Sequence, residues 1–146
     1  MSENLYETDF YAWANQQAAL LRAGKLSAAD IEHIAEEIES MGRTEKRELV
    51  SRLTVLLLHL LKWQFQPGLR CNSGRLTVKE QRYRLSDHLA DNPSLNARLP
   101  EAICNAYRLA LVEAERETGL PETTFPVECP WSFDQLSSPS FWPDQH

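Results

Sequence analysis

Apolar positions along the chain recur at three- and four-residue spacing, which predicts helices throughout. In the first segment, about Thr8 to Ala23, the stripe is Phe10, Trp13, Ala14, Leu20 and Leu21, and Gly24 is a natural stop. Gln17 sits inside that stripe, so its amide must find partners if buried; an unpaired one costs on the order of 1–3 kcal/mol. A second helix is expected from Ser27, whose hydroxyl and Asp30 resemble a capping box. Its apolar face is Ile31, Ile34, Ala35, Ile38 and Met41, and Gly42 ends it. Only Arg43 and Thr44 then precede a third helix, so short a connection that the two are expected to be antiparallel neighbours. The third helix, Thr44 to Gln66, is apolar over more than half its circumference and should lie at the centre of the fold. Pro67 cannot continue it.

Residues 67–74 carry Pro, Gly, Asn and Ser, a loop signature. Thr77-Val78-Lys79-Glu80 matches a capping box for a fourth helix, which could also start a turn earlier. Its stripe of Val78, Leu85 and Leu89 is thin, and Arg82 intrudes on it. After Asp91-Asn92-Pro93, Ser94 can cap a further stretch that Pro100 kinks or restarts. The run Glu101 to Thr118 presents Ile103, Ala106, Tyr107, Ala110 and Ala114, and stops at Gly119. Beyond Leu120 the prolines alternate with Phe125, Trp131, Phe133, Phe141 and Trp142, the texture of an aromatic strap with one short helical turn at Ser132–Leu136. The expected fold is all-α: an antiparallel up-and-down bundle of four to five main helices in a single domain, 1–146, with an irregular C-terminal strap over 120–146.

The 146 residues are 42% hydrophobic and 25% charged, a globular composition. Cys71, Cys104 and Cys129 are odd in number and form no C-x-x-C pair, which favours a reducing compartment. The acidic N-terminus lacks a signal-peptide core, and Leu53–Leu61 falls short of the ~20 apolar residues of a membrane span. The expectation is a cytoplasmic, bacterial-type protein with no membrane attachment. Charge is unevenly placed. Between Arg43 and Arg84 ten basic residues face three acidic ones, whereas the remainder holds five basic and eighteen acidic, within a net charge of −6. Basic helices lying against acidic ones explain this. A competing reading is a patch of Arg70, Arg75, Lys79, Arg82 and Arg84 for an acidic partner or nucleic acid, although overall acidity opposes nucleic acid.

Candidate chemistry is sparse. His33, Glu36 and Glu37 invite comparison with di-iron helical bundles, but the Glu-x-x-His order is reversed, there is one copy, and the residues point away from the apolar face. They are expected on a solvated surface. His59, His88, Cys71 and Cys129 have no zinc-ligand spacing. No G-x-S-x-G, phosphate loop or H-E-x-x-H occurs. No catalytic residue, metal or cofactor is expected. A polar network of Glu37, Glu39, Arg52, His59 and Arg82 beside the core is the candidate site, with structural ion pairing as the plainer reading.

The run Tyr6-Glu7-Thr8-Asp9-Phe10-Tyr11-Ala12-Trp13 resembles the opening of a bacterial family catalogued as domain of unknown function 29. Ala35-Glu36-Glu37-Ile38-Glu39-Ser40-Met41-Gly42, Leu57-Leu58-His59-Leu60-Leu61-Lys62-Trp63-Gln64, Glu117-Thr118-Gly119-Leu120-Pro121 and Phe125-Pro126-Val127-Glu128-Cys129-Pro130 continue the likeness over about 5–143. The resemblance implies an all-helical, prokaryotic cytosolic protein and no activity. The expected function is a non-catalytic interaction domain, with a protein partner or a second copy of itself. The alternatives are a nucleic-acid-associated protein using 43–84 and an enzyme with a metal or hydrolytic site assembled from distant residues.

Overall fold

The computed structural model describes residues 5–143. Among these residues the fold is all-α, with helices α1 (Leu5–Thr8), α2 (Phe10–Arg22), α3 (Ile31–Phe65), α4 (Asn72–Asp91), α5 (Leu99–Thr118) and α6 (Phe133–Ser137). Short 3₁₀ turns at Leu26–Ala28, Pro67–Leu69, Pro93–Arg98 and Glu122–Thr124 connect them. The chain divides into two compact units, Met1–Thr44 and Glu45–His146, and the division falls within α3.

In the first unit the helix expected from about Thr8 starts at Phe10, and the short α1 precedes it, separated by Asp9. Its backbone leaves the helical region (φ −151°, ψ 79°) so that its carboxylate can accept the Ala12 N–H at 3.1 Å. Gly24 ends α2 as anticipated. It adopts φ +73°, and Lys25 N–H reaches the Leu20 carbonyl at 2.9 Å, closing the turn of a Schellman motif. Gln17 is buried and satisfied: its Oε1 accepts the Asp30 N–H at 2.7 Å.

Two helix starts and one helix end differ from expectation. The start predicted at Ser27 is a 3₁₀ turn; Asp30 takes the capping role, and α3 starts at Ile31. Asn72 opens α4, where the Cys71 thiol accepts the Gly74 N–H, while the Thr77 hydroxyl merely donates to the Ser73 carbonyl inside the helix. The expected end at Gly42 does not occur. Helix α3 runs unbroken through Gly42, so the second and third predicted helices are one helix and not antiparallel neighbours. Gly42 lacks the positive φ a stop requires, and the Thr44 hydroxyl bonds the Ser40 carbonyl across it at 3.0 Å. One glycine costs a helix about 0.5–1 kcal/mol, less than opening it with no other breaker nearby.

The core of the second unit gathers on α3. Leu49, Leu53, Leu56, Leu57, Leu60 and Leu61 are all fully buried, with Val78 and Leu85 of α4. Ala102, Ala106, Ala110 and Ala114 of α5 repeat every four residues and are also fully buried, letting helices approach closely. Lys46 pairs with Glu101 at 2.9 Å and Lys62 with Glu117 at 2.8 Å. Both steps are sixteen residues long, about 24 Å at 1.5 Å per residue, so α5 runs alongside α3 in the same direction. Helix α4 returns between them in sequence, and near its end His88 Nε2 donates to the Glu45 carbonyl at 2.8 Å. The basic-against-acidic arrangement thus holds between α3 and α5, through exposed pairs worth ~0–1 kcal/mol each.

The tail packs as the aromatic strap. Phe125, Trp131 and Leu136 are buried, and Phe125 meets Phe65 edge-on with centroids 5.1 Å apart. Tyr107 donates its hydroxyl to the Pro126 carbonyl at 2.6 Å. Helix α6 carries a full capping box from Ser132 and Gln135.

The continuity of α3 is testable at Gly42. An added Cβ there would meet no atom within 4 Å. Gly42→Ala is therefore expected to stabilise the chain by about 0.5–1 kcal/mol in chemical denaturation. A loss of stability would place a left-handed turn at this position instead.

Candidate functional site

Helix α4 spaces Arg75, Lys79, Arg82 and Ser86 at intervals of four, three and four, which puts them along one face. Ser137, Pro139 and Trp142 of the tail lie opposite, and between them is a cavity of about 500 Å³ that Tyr83 also lines. Arg82 is only 6% exposed. Its Nε donates to the Leu136 carbonyl and its Nη2 to the Phe141 carbonyl, each at 2.8 Å. The guanidinium carbon lies 5.5 Å from the centroid of the Trp142 ring, which in turn packs on Trp63 with centroids 4.3 Å apart.

The electrostatics of this cavity are one-sided. Burial draws the Arg82 pKa down, yet an arginine starts so high that it keeps its charge. Among the described residues no carboxylate pairs with Arg82 or lines the cavity. Arg75 has its Nη2 on the Asn72 Oδ1 at 2.7 Å, a neutral partner, and Lys79 has no partner among the described residues. The one acidic neighbour on this stretch of α4, Glu80, is held by Arg84 at 2.9 Å. Three cations, three hydroxyls (Tyr83, Ser86, Ser137) and one indole therefore converge without a counter-charge. Neither imidazole, carboxylate nor thiol lines the space.

The five residues of the sequence-derived network have these partners. Glu37 accepts the Tyr6 hydroxyl in the first unit, and Glu39 is exposed. Arg52 pairs with Glu48, one turn back on α3, at 2.7 Å. His59 is half-buried in a smaller pocket of about 160 Å³ with Lys62, Trp63, Arg70 and Cys71. Burial, and then the Lys62 charge, push its pKa down. Arg82 bonds carbonyls, as above. Trp142 was expected in the strap, but the pairing of Trp142, Ser137 and Pro139 with α4 has no local signal in the tail. The phase of α4 was available, and it separates Arg75, Lys79 and Arg82 from Arg84.

His33 and Glu37 do not occupy a fully solvated face, contrary to expectation. The His33 Nδ1 lies 2.7 Å from Asp30 Oδ2, which also accepts the Trp13 Nε1–H at 3.2 Å. The Tyr6 ring stacks on His33 with centroids 4.0 Å apart. Aromatic and hydrogen-bonding partners on α1 and α2 outweigh the apolar stripe here, and it is Ile31, Ile38 and Met41 that stand exposed, at 55%, 63% and 68%. Among the described residues no three His, Cys, Asp or Glu side chains gather as a metal site, and no helix is long and apolar enough to cross a membrane.

A family model described as "Domain of unknown function DUF29" matches residues 5–142. No curated protein and no solved structure matches the chain.

The Asp30–His33 pair predicts a pH window for the first unit. The bond from His33 holds the Asp30 carboxyl below its usual 3.8, and Asp30 raises His33 above its usual 6.5. The Asp30 contribution to stability is present above about pH 3.8 and is lost as pH falls through its depressed folded value. That of His33 is complete below about 6.5 and is lost as pH rises through its raised folded value. Stability should therefore decline on the alkaline side above pH 6.5, and His33→Ala should flatten that decline in melting temperatures measured against pH. An identical decline in the variant would contradict the pairing.

Proposed function

This chain belongs to the DUF29 family, and we propose that it is a non-catalytic binding domain that takes up an anionic group in the cavity beside Arg82. The observation that carries the reading is the state of Arg82: nearly buried, charged, and in contact with two backbone carbonyls and the Trp142 ring but, among the described residues, with no carboxylate. Taking a charge out of water costs several kcal/mol unless an opposite charge or strong hydrogen bonds compensate. A neutral donor would have sufficed to hold the carbonyls of Leu136 and Phe141. A cation at that point, with Arg75 and Lys79 on the same face, creates a positive potential that favours a bound anion. A wall of cations and hydroxyls, with no carboxylate, imidazole or thiol among its lining residues, supports binding over turnover.

The test is thermal unfolding in inorganic phosphate against sodium chloride at equal ionic strength. Phosphate should raise the melting temperature, and saturation at about 100 times Kd adds about 2.7 kcal/mol of stability. Lys79→Glu should abolish the rise. Equal melting temperatures in both salts would defeat the reading.

Self-association is a second reading, favoured by a separate observation. Ile31, Ala35, Ile38 and Gly42 recur at intervals of four, three and four on α3, the spacing of a helix-pairing seam, and the two isoleucines are exposed. A second copy of the chain presents the same seam, and the small side chains let backbones approach. Light scattering should then give a dimer that Ile38→Glu converts to monomer; a monomeric parent protein would rule this out.

A further inference from the structure

We infer that the ligand of the Arg82 cavity is a small phosphate ester bearing a flat ring, of the chemical class of a nucleoside monophosphate. This rests on the anion-binding reading and narrows it by three observations. The first is the amount of charge. A phosphate monoester carries about −1.5 to −2 near neutral pH and offers three acceptor oxygens, whereas a carboxylate carries a single charge and two. Arg75, Lys79 and Arg82 present three cations to one space, and no Asp or Glu among the described residues shares it. A single carboxylate would leave two of them unanswered.

The second observation is the donor set. Arg82 commits Nε and Nη2 to the tail and leaves Nη1 with no partner among the described residues. Its plane is fixed by those two bonds, so the remaining donors are already oriented, the arrangement that makes guanidinium groups selective for phosphate oxygens. Lys79 adds a mobile point charge from the exposed side, and the hydroxyl of Ser86 can donate to the same group.

The third is the aromatic lining. Tyr83 is 61% exposed, and it lines the cavity with Trp142 and Pro139. Trp142 is immobilised against Trp63, so its ring is presented with little conformational entropy left to lose. Inorganic phosphate would use none of this surface, whereas a base or other planar ring gains from stacking on it. A cavity of about 500 Å³ falls in the range of small-ligand sites and holds one such molecule. A longer polyanion would extend beyond this cluster onto a protein whose overall net charge is −6.

Isothermal titration of the full chain at constant ionic strength with adenosine 5′-monophosphate, inorganic phosphate and adenosine distinguishes the claims. The nucleotide should bind at least about tenfold more tightly than phosphate, a gain equivalent to about 1.4 kcal/mol, and adenosine should bind more weakly than either. Lys79→Glu should weaken the nucleotide at least tenfold, and Tyr83→Ala should bring the ratio of nucleotide to phosphate affinity down towards one, whereas Tyr83→Phe, which keeps the ring, should preserve that ratio. Both side chains are exposed, so no variant removes a core contact. Equal affinity for nucleotide and phosphate would overturn the ring and leave the anion site standing. Absence of binding by both would overturn the site as well. Tighter capture of an oligonucleotide or a phosphopeptide than of the mononucleotide would overturn the assignment to a small ligand.

Discussion

A buried guanidinium joins helix α4 to the C-terminal tail, and the candidate site exists because of that joint. Leu136 lies in the last turn of the five-residue helix α6, where carbonyls have no intrahelical partner. Arg82 supplies the missing donor, and a cation is the favoured partner at a helix C-terminus. Its second bond, to Phe141, fixes the chain five residues further on and brings Trp142 over the guanidinium. The tail then forms one wall of the cavity and α4 the other. The bonds that hold the tail also fix the plane of the guanidinium, and with it the direction of its remaining donors.

The tail is held at other points by interactions of different kinds. Trp131, Phe125 and Leu136 contribute apolar burial, Tyr107 contributes a hydrogen bond to Pro126, and burial keeps the Tyr107 phenol neutral by pushing its pKa up. Prolines between these anchors reduce the freedom the segment would recover on detaching. Beneath it, the alanine face of α5 and the leucines of α3 belong to one buried cluster, against which Phe65, Phe133 and Phe141 pack.

Elements whose signals were local were legible in the sequence. Gly24 and Gly119 both end helices with positive φ, the Ala106/Ala110/Ala114 face is buried, and the Ser132 turn forms with its capping box. Gly42 misled because glycine at a helix end and glycine inside a helix look alike, and only the neighbours' willingness to remain helical decides between them. His33 misled for another reason. Helical phase gave Ile31 and Ile38 the buried face, but the rings of Tyr6 and Trp13 and the carboxylate of Asp30 selected the other side. Arg82 was recognisable as an intruder on an apolar stripe. Its partners were not, since the Leu136 and Phe141 carbonyls are 54 and 59 residues away and a backbone carbonyl leaves no mark in a sequence.

The most direct measurement of this joint is nuclear magnetic resonance of the arginine side-chain Nε–H signals, with Arg82 assigned through Arg82→Lys. Held by the Leu136 carbonyl, the Arg82 Nε–H should exchange with solvent far more slowly than that of the exposed Arg84, and its resonance should shift as inorganic phosphate is added. An Arg82 signal that exchanges as fast as Arg84 and ignores phosphate would contradict both the joint and the site built on it.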